Sequence, residues 1–215
     1  MASVPALYGA AYSVYTRICR LALIEKGVDH RLEEVDIFSP AGVSADYVRM
    51  HPFRKIPAFM HEGFVLYEAA AICRYVDEAF TGPLLQPSDA AGRARMTQIT
   101  GLLDAYGFRP LILDIFVERI RAPQHGRASD EERIAAALAP AERCLDALAH
   151  LLADHAWLAG PSLSLADLHA APMMVYFRMT PEGRHMLAAR AKLDAWWSRL
   201  AARPSLRATI SPLEA

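Results

Sequence analysis

The feature that most constrains this chain is a change of hydrophobic period within residues 57–80. Pro57 to Met60 and Phe64 to Tyr67 are short apolar runs on either side of His61-Glu62-Gly63. That arrangement predicts a β-hairpin, with Gly63 available for a positive φ at the turn. Directly afterwards Ile72, Tyr75, Val76 and Ala79 recur with helical spacing until Gly82-Pro83 stops them. Glu68 and Ala69 therefore fall at a helix N-terminus.

Upstream, Ala6-Leu7-Tyr8 reads as a first strand and Gly9-Ala10-Ala11 as a loop. Tyr15, Ile18, Cys19 and Ala22 form a helical stripe that Gly27 ends, and Val28 to Ile37 alternates like a second strand before a loop at Phe38 to Gly42. Strand, helix, strand, hairpin, helix is a βαβ-ββα order, a pattern that several α/β domains share. Pro57 cannot donate to a sheet ladder, so it marks an edge or a special turn, and such a turn presents the backbone of Ile56 outward. One small region then offers an exposed strand edge, a helix N-terminus that attracts carboxylate, and Glu68, which attracts ammonium. These are complementary to a γ-glutamyl tripeptide. On the hairpin alone a strand-opening proline and an ordinary first-turn acid are the better account.

The order Pro52, Lys55-Ile56-Pro57, Gly63, Leu66-Tyr67-Glu68, Ala70-Ala71-Ile72 and Arg74-Tyr75 resembles the glutathione-binding half of the cytosolic glutathione transferase family, in particular its serine-type, bacterial-like members. The resemblance covers nearly the whole chain, through Gly160-Pro161-Ser162-Leu163-Ser164-Leu165-Ala166-Asp167-Leu168 to Arg203-Pro204-Ser205. It implies an α/β thioredoxin-like N-terminal domain followed by an all-α C-terminal domain. It further implies glutathione as co-substrate, held by Lys55, Ile56, a cis Pro57, Glu68 and Ala69, and conjugated to small electrophiles in detoxification by a homodimer. Two departures stand out: Ala69 replaces the family's usual Ser or Thr, and Arg54 replaces a usual glycine. They keep open a transferase-like interaction module without catalysis, beside glutathione-dependent reduction or isomerisation on the same site.

Serine-type members carry S-x-x-T-R after the first strand, here Ser13 to Arg17, which implies that Ser13 is catalytic. Its task is modest. A thiol of pKa ~8.5 is only about 3% thiolate at pH 7, and lowering that pKa by ~2 units takes ~2.7 kcal/mol of differential stabilisation. A hydroxyl bond to an anion, roughly 1.5 to 3 kcal/mol, plus part of a helix N-terminal field, roughly 0.3 to 1 kcal/mol, is about enough. As a residue alone, Ser13 is also a favoured N-cap. Tyr8 is the alternative catalytic residue, since tyrosine-type members place the phenol at the end of the first strand. The electrophile is expected to meet Tyr12, Tyr106, Phe108, Arg109 and Leu113.

Residues 1–80 are read as the glutathione-binding domain, 81–88, rich in Gly and Pro, as a linker, and 89–215 as the helical domain. Ser88 is the expected cap of the next helix. Gly101, Gly107 and Pro110 bend the long helical stretch from Asp89 to about Arg121. Ser129-Asp130-Glu131-Glu132 opens another helix with an expected kink at Pro140, and Ser164 and Asp167 form a structural capping pair. The odd set Cys19, Cys73 and Cys144 contains no C-x-x-C and reads as buried packing, and the eight histidines show no ligand spacing. No metal is expected. Hydrophobic residues at 53%, a formal net charge of −1 and the lack of a ~20-residue apolar run argue against nucleic-acid and membrane partners. The start lacks a signal-peptide pattern, so a cytoplasmic location is expected.

Overall fold

The structure is a computed structural model that describes residues 4–214 of the 215-residue chain. It divides into two compact units, one running to Leu85 and taking in the segment from Arg203 onward, the other Gln86–Ala202. The segment from Arg203 to Glu214, which the sequence reading grouped with the helical domain, thus belongs with the first unit. The physical reason lies in helix α1, Val14–Lys26: buried Arg17 and half-buried Glu25 both find their partners in that segment.

In the first unit, strands β1 (Ala6–Gly9), β2 (Arg31–Glu34), β3 (Ala58–His61) and β4 (Phe64–Tyr67) form a sheet of order β2-β1-β3-β4. β1 runs parallel to β2, which requires the α1 crossover, and antiparallel to β3, with Leu7 opposite Phe59. The β3–β4 hairpin is the expected one. Glu62 and Gly63 both have positive φ, 49° and 81°, the combination that lets a tight turn follow the twist of its strands. Helix α3, Ala69–Ala79, follows, and α1 and α3 pack through Ile18, Leu21, Ile72 and Val76, all essentially inaccessible. Each such side chain contributes roughly 1.5 to 3 kcal/mol on burial. Cys19 and Cys73 lie in the same layer and Cys144 in the other unit, all buried and unbridged as expected. Burial pushes the Cys19 thiol up, and the Cys144 thiol up to about 12, which removes both from thiolate chemistry.

One helix of this unit escaped the sequence reading. Helix α2, Ala45–Met50, is capped by Ser44 Oγ, which accepts from Tyr47 N–H at 3.1 Å. Only Tyr47 is buried in it, so no apolar stripe announces the helix.

The second unit is helical: α4 (Ala90–Leu102), a π-helical stretch (Leu103–Arg121), α5 (Ala122–Gln124), α6 (Glu131–Leu152), α7 (Leu165–Met179), α8 (Pro181–Ala188) and α9 (Ala191–Ala201). The cap of α4 is Asp89, accepting from Gly92 N–H at 2.8 Å, rather than the expected Ser88. The stretch where a bend was expected is built of wider turns. Pro110 has no N–H to bond four residues back, and at the end of the stretch Ala122 N–H reaches Val117 C=O, five residues back. Asp167 is the hub of α7. Its carboxylate accepts from Leu158 N–H, Ser164 N–H, Ser164 Oγ and Trp196 Nε1, each at 2.8 Å. That is the structural role expected of it. Among the described residues no helix is long and apolar enough to cross a membrane. The short helix α10, Pro204–Ala208, returns the chain to the first unit.

Candidate active site

Ser13 is the N-cap of α1, in extended backbone with φ −73° and ψ 128°. Its N–H donates to Ala10 C=O at 3.0 Å, its C=O accepts from Arg17 N–H at 2.9 Å, and its Oγ accepts from Thr16 N–H at 3.3 Å. The turn sits tight against β1 because residue 9 is glycine: a Cβ there would come within 2.3 Å of Thr16 Oγ1. The cap uses an acceptor lone pair of Ser13. The hydroxyl proton is left to donate. No acidic side chain occupies the first turn of α1, so the helix field there stays positive.

Tyr8 sits in β1 between Glu33 and Ala58, half-buried. It packs with Tyr12 against the cluster of Ala10, Tyr47, Ile56 and Ala58. Tyr12 stacks on the exposed Phe38, ring centroids 6.3 Å apart, at the end of the segment expected to be strand. Phe38 was missed because it reads as the start of a loop.

The opposite wall is the turn before β3. The Ile56–Pro57 peptide is cis, as the resemblance implied, and Ile56 stands outside the ladder, which begins at Ala58. Tyr47 OH donates to Lys55 C=O at 2.7 Å, and His51 C=O accepts from Arg54 N–H at 2.9 Å. Burial pushes the Tyr47 phenol above its ordinary range, so it remains a donor. Arg54 has φ 55°, a left-handed conformation that costs a non-glycine residue about 1–2 kcal/mol. The Lys55 side chain is exposed. His51 is buried against Tyr67 with ring centroids 4.8 Å apart, and chiefly that burial holds its imidazole below the ordinary range. The charge of Glu68 acts against that and the charge of Lys55 with it. Neither Tyr47 nor His51 figured in the sequence reading; the only signal for them was a polar ring within an apolar-poor segment.

Glu68 and Ala69 begin α3 as expected, but with an unexpected backbone. Glu68 has φ 71° and ψ 113°, and its side chain makes no cap bond. Ala69 is buried. The first N–H groups of α3 therefore lack a side-chain acceptor from the cap, and no acid lies in its first turn. A strained residue exposing a carboxylate beside an uncapped helix start can hold an ammonium and a carboxylate of one ligand.

The remaining expected residues lie in the helical unit. Tyr106 is exposed, Phe108 and Leu113 are half-buried, and the Arg109 guanidinium reaches Asp114 at 3.4 Å. Arg109 lines a cavity of about 480 Å³ with Pro110, Asp130, Arg133 and Pro140. Tyr106, Phe108 and Leu113 are not in its wall.

With this geometry in hand, comparison with known proteins is decisive. The model of the glutathione S-transferase N-terminal domain matches residues 7–84, and that of the glutathione S-transferase C-terminal domain matches 108–204. Glutathione S-transferase 4 of Zea mays is 30% identical over 202 residues, 93% of this chain and 88% of the relative. The chain belongs to the glutathione S-transferase family. Among solved structures, glutathione transferase F7 of Populus trichocarpa superposes with a TM-score of 0.83 at 29% identity, covering 96% of this chain and 97% of that one. Maize glutathione S-transferase I in complex with an atrazine glutathione conjugate gives a TM-score of 0.86 at 27% identity, covering 96% of each chain. These relatives are plant proteins, whereas the sequence pattern had pointed to bacterial-like ones. This transferase thus has the family's four-stranded mixed sheet and its helical second unit.

Proposed function

We propose that this transferase conjugates glutathione to small electrophiles with Ser13 holding the thiolate. The observation that carries the reading is the Ser13 hydroxyl itself, which caps α1 with a lone pair and keeps its proton for the sulfur. The N-terminal field of α1 adds to that bond. In this reading Ile56 pairs its backbone with the cysteinyl part of glutathione. Glu68 takes the γ-glutamyl ammonium, and the N–H groups from Ala69 onward take its carboxylate. Lys55 extends an exposed cation beside the peptide, and the electrophile meets Tyr12. Family membership supports the wider reading of a cytoplasmic homodimer.

Catalysis follows from holding the anion. The nucleophile is the thiolate, so each pKa unit removed from a thiol near 8.5 raises its reactive fraction at pH 6.5 by about tenfold. Ser13→Ala should lower turnover of a chloronitroarene at pH 6.5 by about ten- to a hundredfold, recover part of it as pH rises, and leave glutathione affinity largely unchanged. Tyr8→Phe should change turnover only a few-fold. Thiolate absorbance of bound glutathione, titrated for both variants, is the direct measurement. A shift with Tyr8→Phe and none with Ser13→Ala would make Tyr8 the activating hydroxyl.

A further inference from the structure

One turn beyond Ser13, α1 carries a fully buried cation whose partners all come from the far end of the chain. Arg17 Nη1 donates to Glu214 Oε1 at 2.5 Å, Nε to Thr209 Oγ1 at 3.2 Å and Nη2 to Leu206 C=O at 3.2 Å. Its side chain is 1% exposed and that of Glu214 is 19% exposed. The same segment is fastened lower on α1, where Arg203 makes a two-pronged pair with Glu25 at 2.6 and 2.5 Å and Ser205 also bonds that carboxylate.

A cation near a helix N-terminus adds to the positive end of the dipole, which is unfavourable for the helix unless an anion answers it. Burial away from water sharpens the requirement. Among the described residues Glu214 is the carboxylate bonded to Arg17. A neighbouring charge is Arg20 on α1, which donates to Ala208 C=O. Glu25 is committed to Arg203, and on α3 Asp77 is committed to Lys26. The Arg17 charge reaches its surroundings, since after burial it is the second cause holding Arg20 below its ordinary range.

We propose that Arg17 and Glu214 are positioning residues for thiol activation: the segment from Arg203 to Glu214 straps α1, and Glu214 partly offsets the positive field that Arg17 and the helix end present to the thiolate. The proposal rests on the reading of the α1 N-terminus as the thiolate site. It predicts a direction that simple damage to the fold does not. Glu214→Gln keeps an acceptor for Arg17 but removes the negative charge, so more of the cation's field is left for the thiolate.

The test is the thiolate titration of bound glutathione. Glu214→Gln should move it to lower pH, giving about two- to fivefold more thiolate at pH values below the midpoint. Glu214→Asp, which keeps the charge but lengthens the gap to Arg17, should move it in the same direction by less. Thr209→Val, which removes a neutral partner, should lower the melting temperature without moving the titration. If Glu214→Gln shifts the titration upward or not at all, or if Thr209→Val moves it as far as Glu214→Gln does, the charge role is overturned and the strap is structural only. Should Glu214→Gln not fold, Glu214→Asp still decides, because a longer gap to Arg17 should give a smaller downward shift and an upward one overturns the proposal. Failure of the serine reading is separable, because it would appear as an unmoved titration in Ser13→Ala whatever the Glu214 variants do.

Discussion

Two helices of the first unit start beside the proposed glutathione site, and they start in opposite ways. α1 opens on Ser13 in relaxed extended backbone, with its hydroxyl capping Thr16 N–H. α3 opens on Glu68 at φ 71°, with no side-chain cap at all. The first arrangement spends a lone pair on the helix and keeps a proton for a ligand atom. The second leaves N–H groups open for a ligand oxygen and turns a carboxylate outward by accepting a conformation that costs of order 1–3 kcal/mol. A helix start can therefore be prepared for an anion either by supplying a donor or by withholding an acceptor, and the proposed site uses one device for the sulfur and the other for the γ-glutamyl group.

The most disruptive way to break this contrast, beside Ser13→Ala, is at the strained start. Glu68→Gln keeps the size of the side chain and removes its charge. An ammonium that loses a charge-assisted partner worth about 1.5–3 kcal/mol should bind about ten- to a hundredfold more weakly. Calorimetric titration of glutathione measures it, and the bound thiol's titration should stay where it is, because the sulfur is served by the other helix. A loss of thiolate in Glu68→Gln would mean that the two starts are not independent.

A smaller effect is expected at Ala69, the buried residue that follows. If backbone N–H groups alone hold the γ-glutamyl carboxylate, Ala69→Ser adds a donor worth roughly 0.5 to 1.5 kcal/mol, or about two- to tenfold in affinity. An unchanged dissociation constant in the same calorimetric experiment would place the carboxylate elsewhere. This variant also makes α3 more like α1, since a hydroxyl would then stand in the first turn of both.

What the sequence could and could not announce follows the range of the interactions. The hairpin was legible because Glu62-Gly63 stands between two short apolar runs, and α3 because its buried residues repeat every three or four positions. Ser13 was legible only through the family pattern, since a cap and a catalytic hydroxyl look alike in a sequence. The α2 helix was not legible because one buried tyrosine makes no stripe. The positive φ values of Arg54 and Glu68 were not, because the usual marker of that conformation is glycine and neither position has it. The strap was hidden most completely. Arg17 and Glu214 are 197 residues apart in the chain, and nothing in the sequence around either marks the other as its partner.

The smallest expected effect sharpens the contrast by relieving strain without touching a ligand group. Arg54 lies two residues before Ile56 and has φ 55°, where the family usually has glycine. Its side chain is exposed, so Arg54→Gly removes little packing. Left-handed backbone costs a non-glycine residue about 1–2 kcal/mol, while glycine gives back about 0.5–1 kcal/mol in unfolded-chain entropy. The net gain is a few tenths to about 1 kcal/mol, which for a chain of this size is a rise of roughly 1–4 °C in melting temperature. Glutathione affinity should change less than about twofold, because the Tyr47 bond to Lys55 C=O continues to hold the turn. If Arg54→Gly instead weakens binding several-fold with no gain in stability, the arginine is a ligand-holding group. The strain at residue 54 would then serve the same purpose as the strain at Glu68.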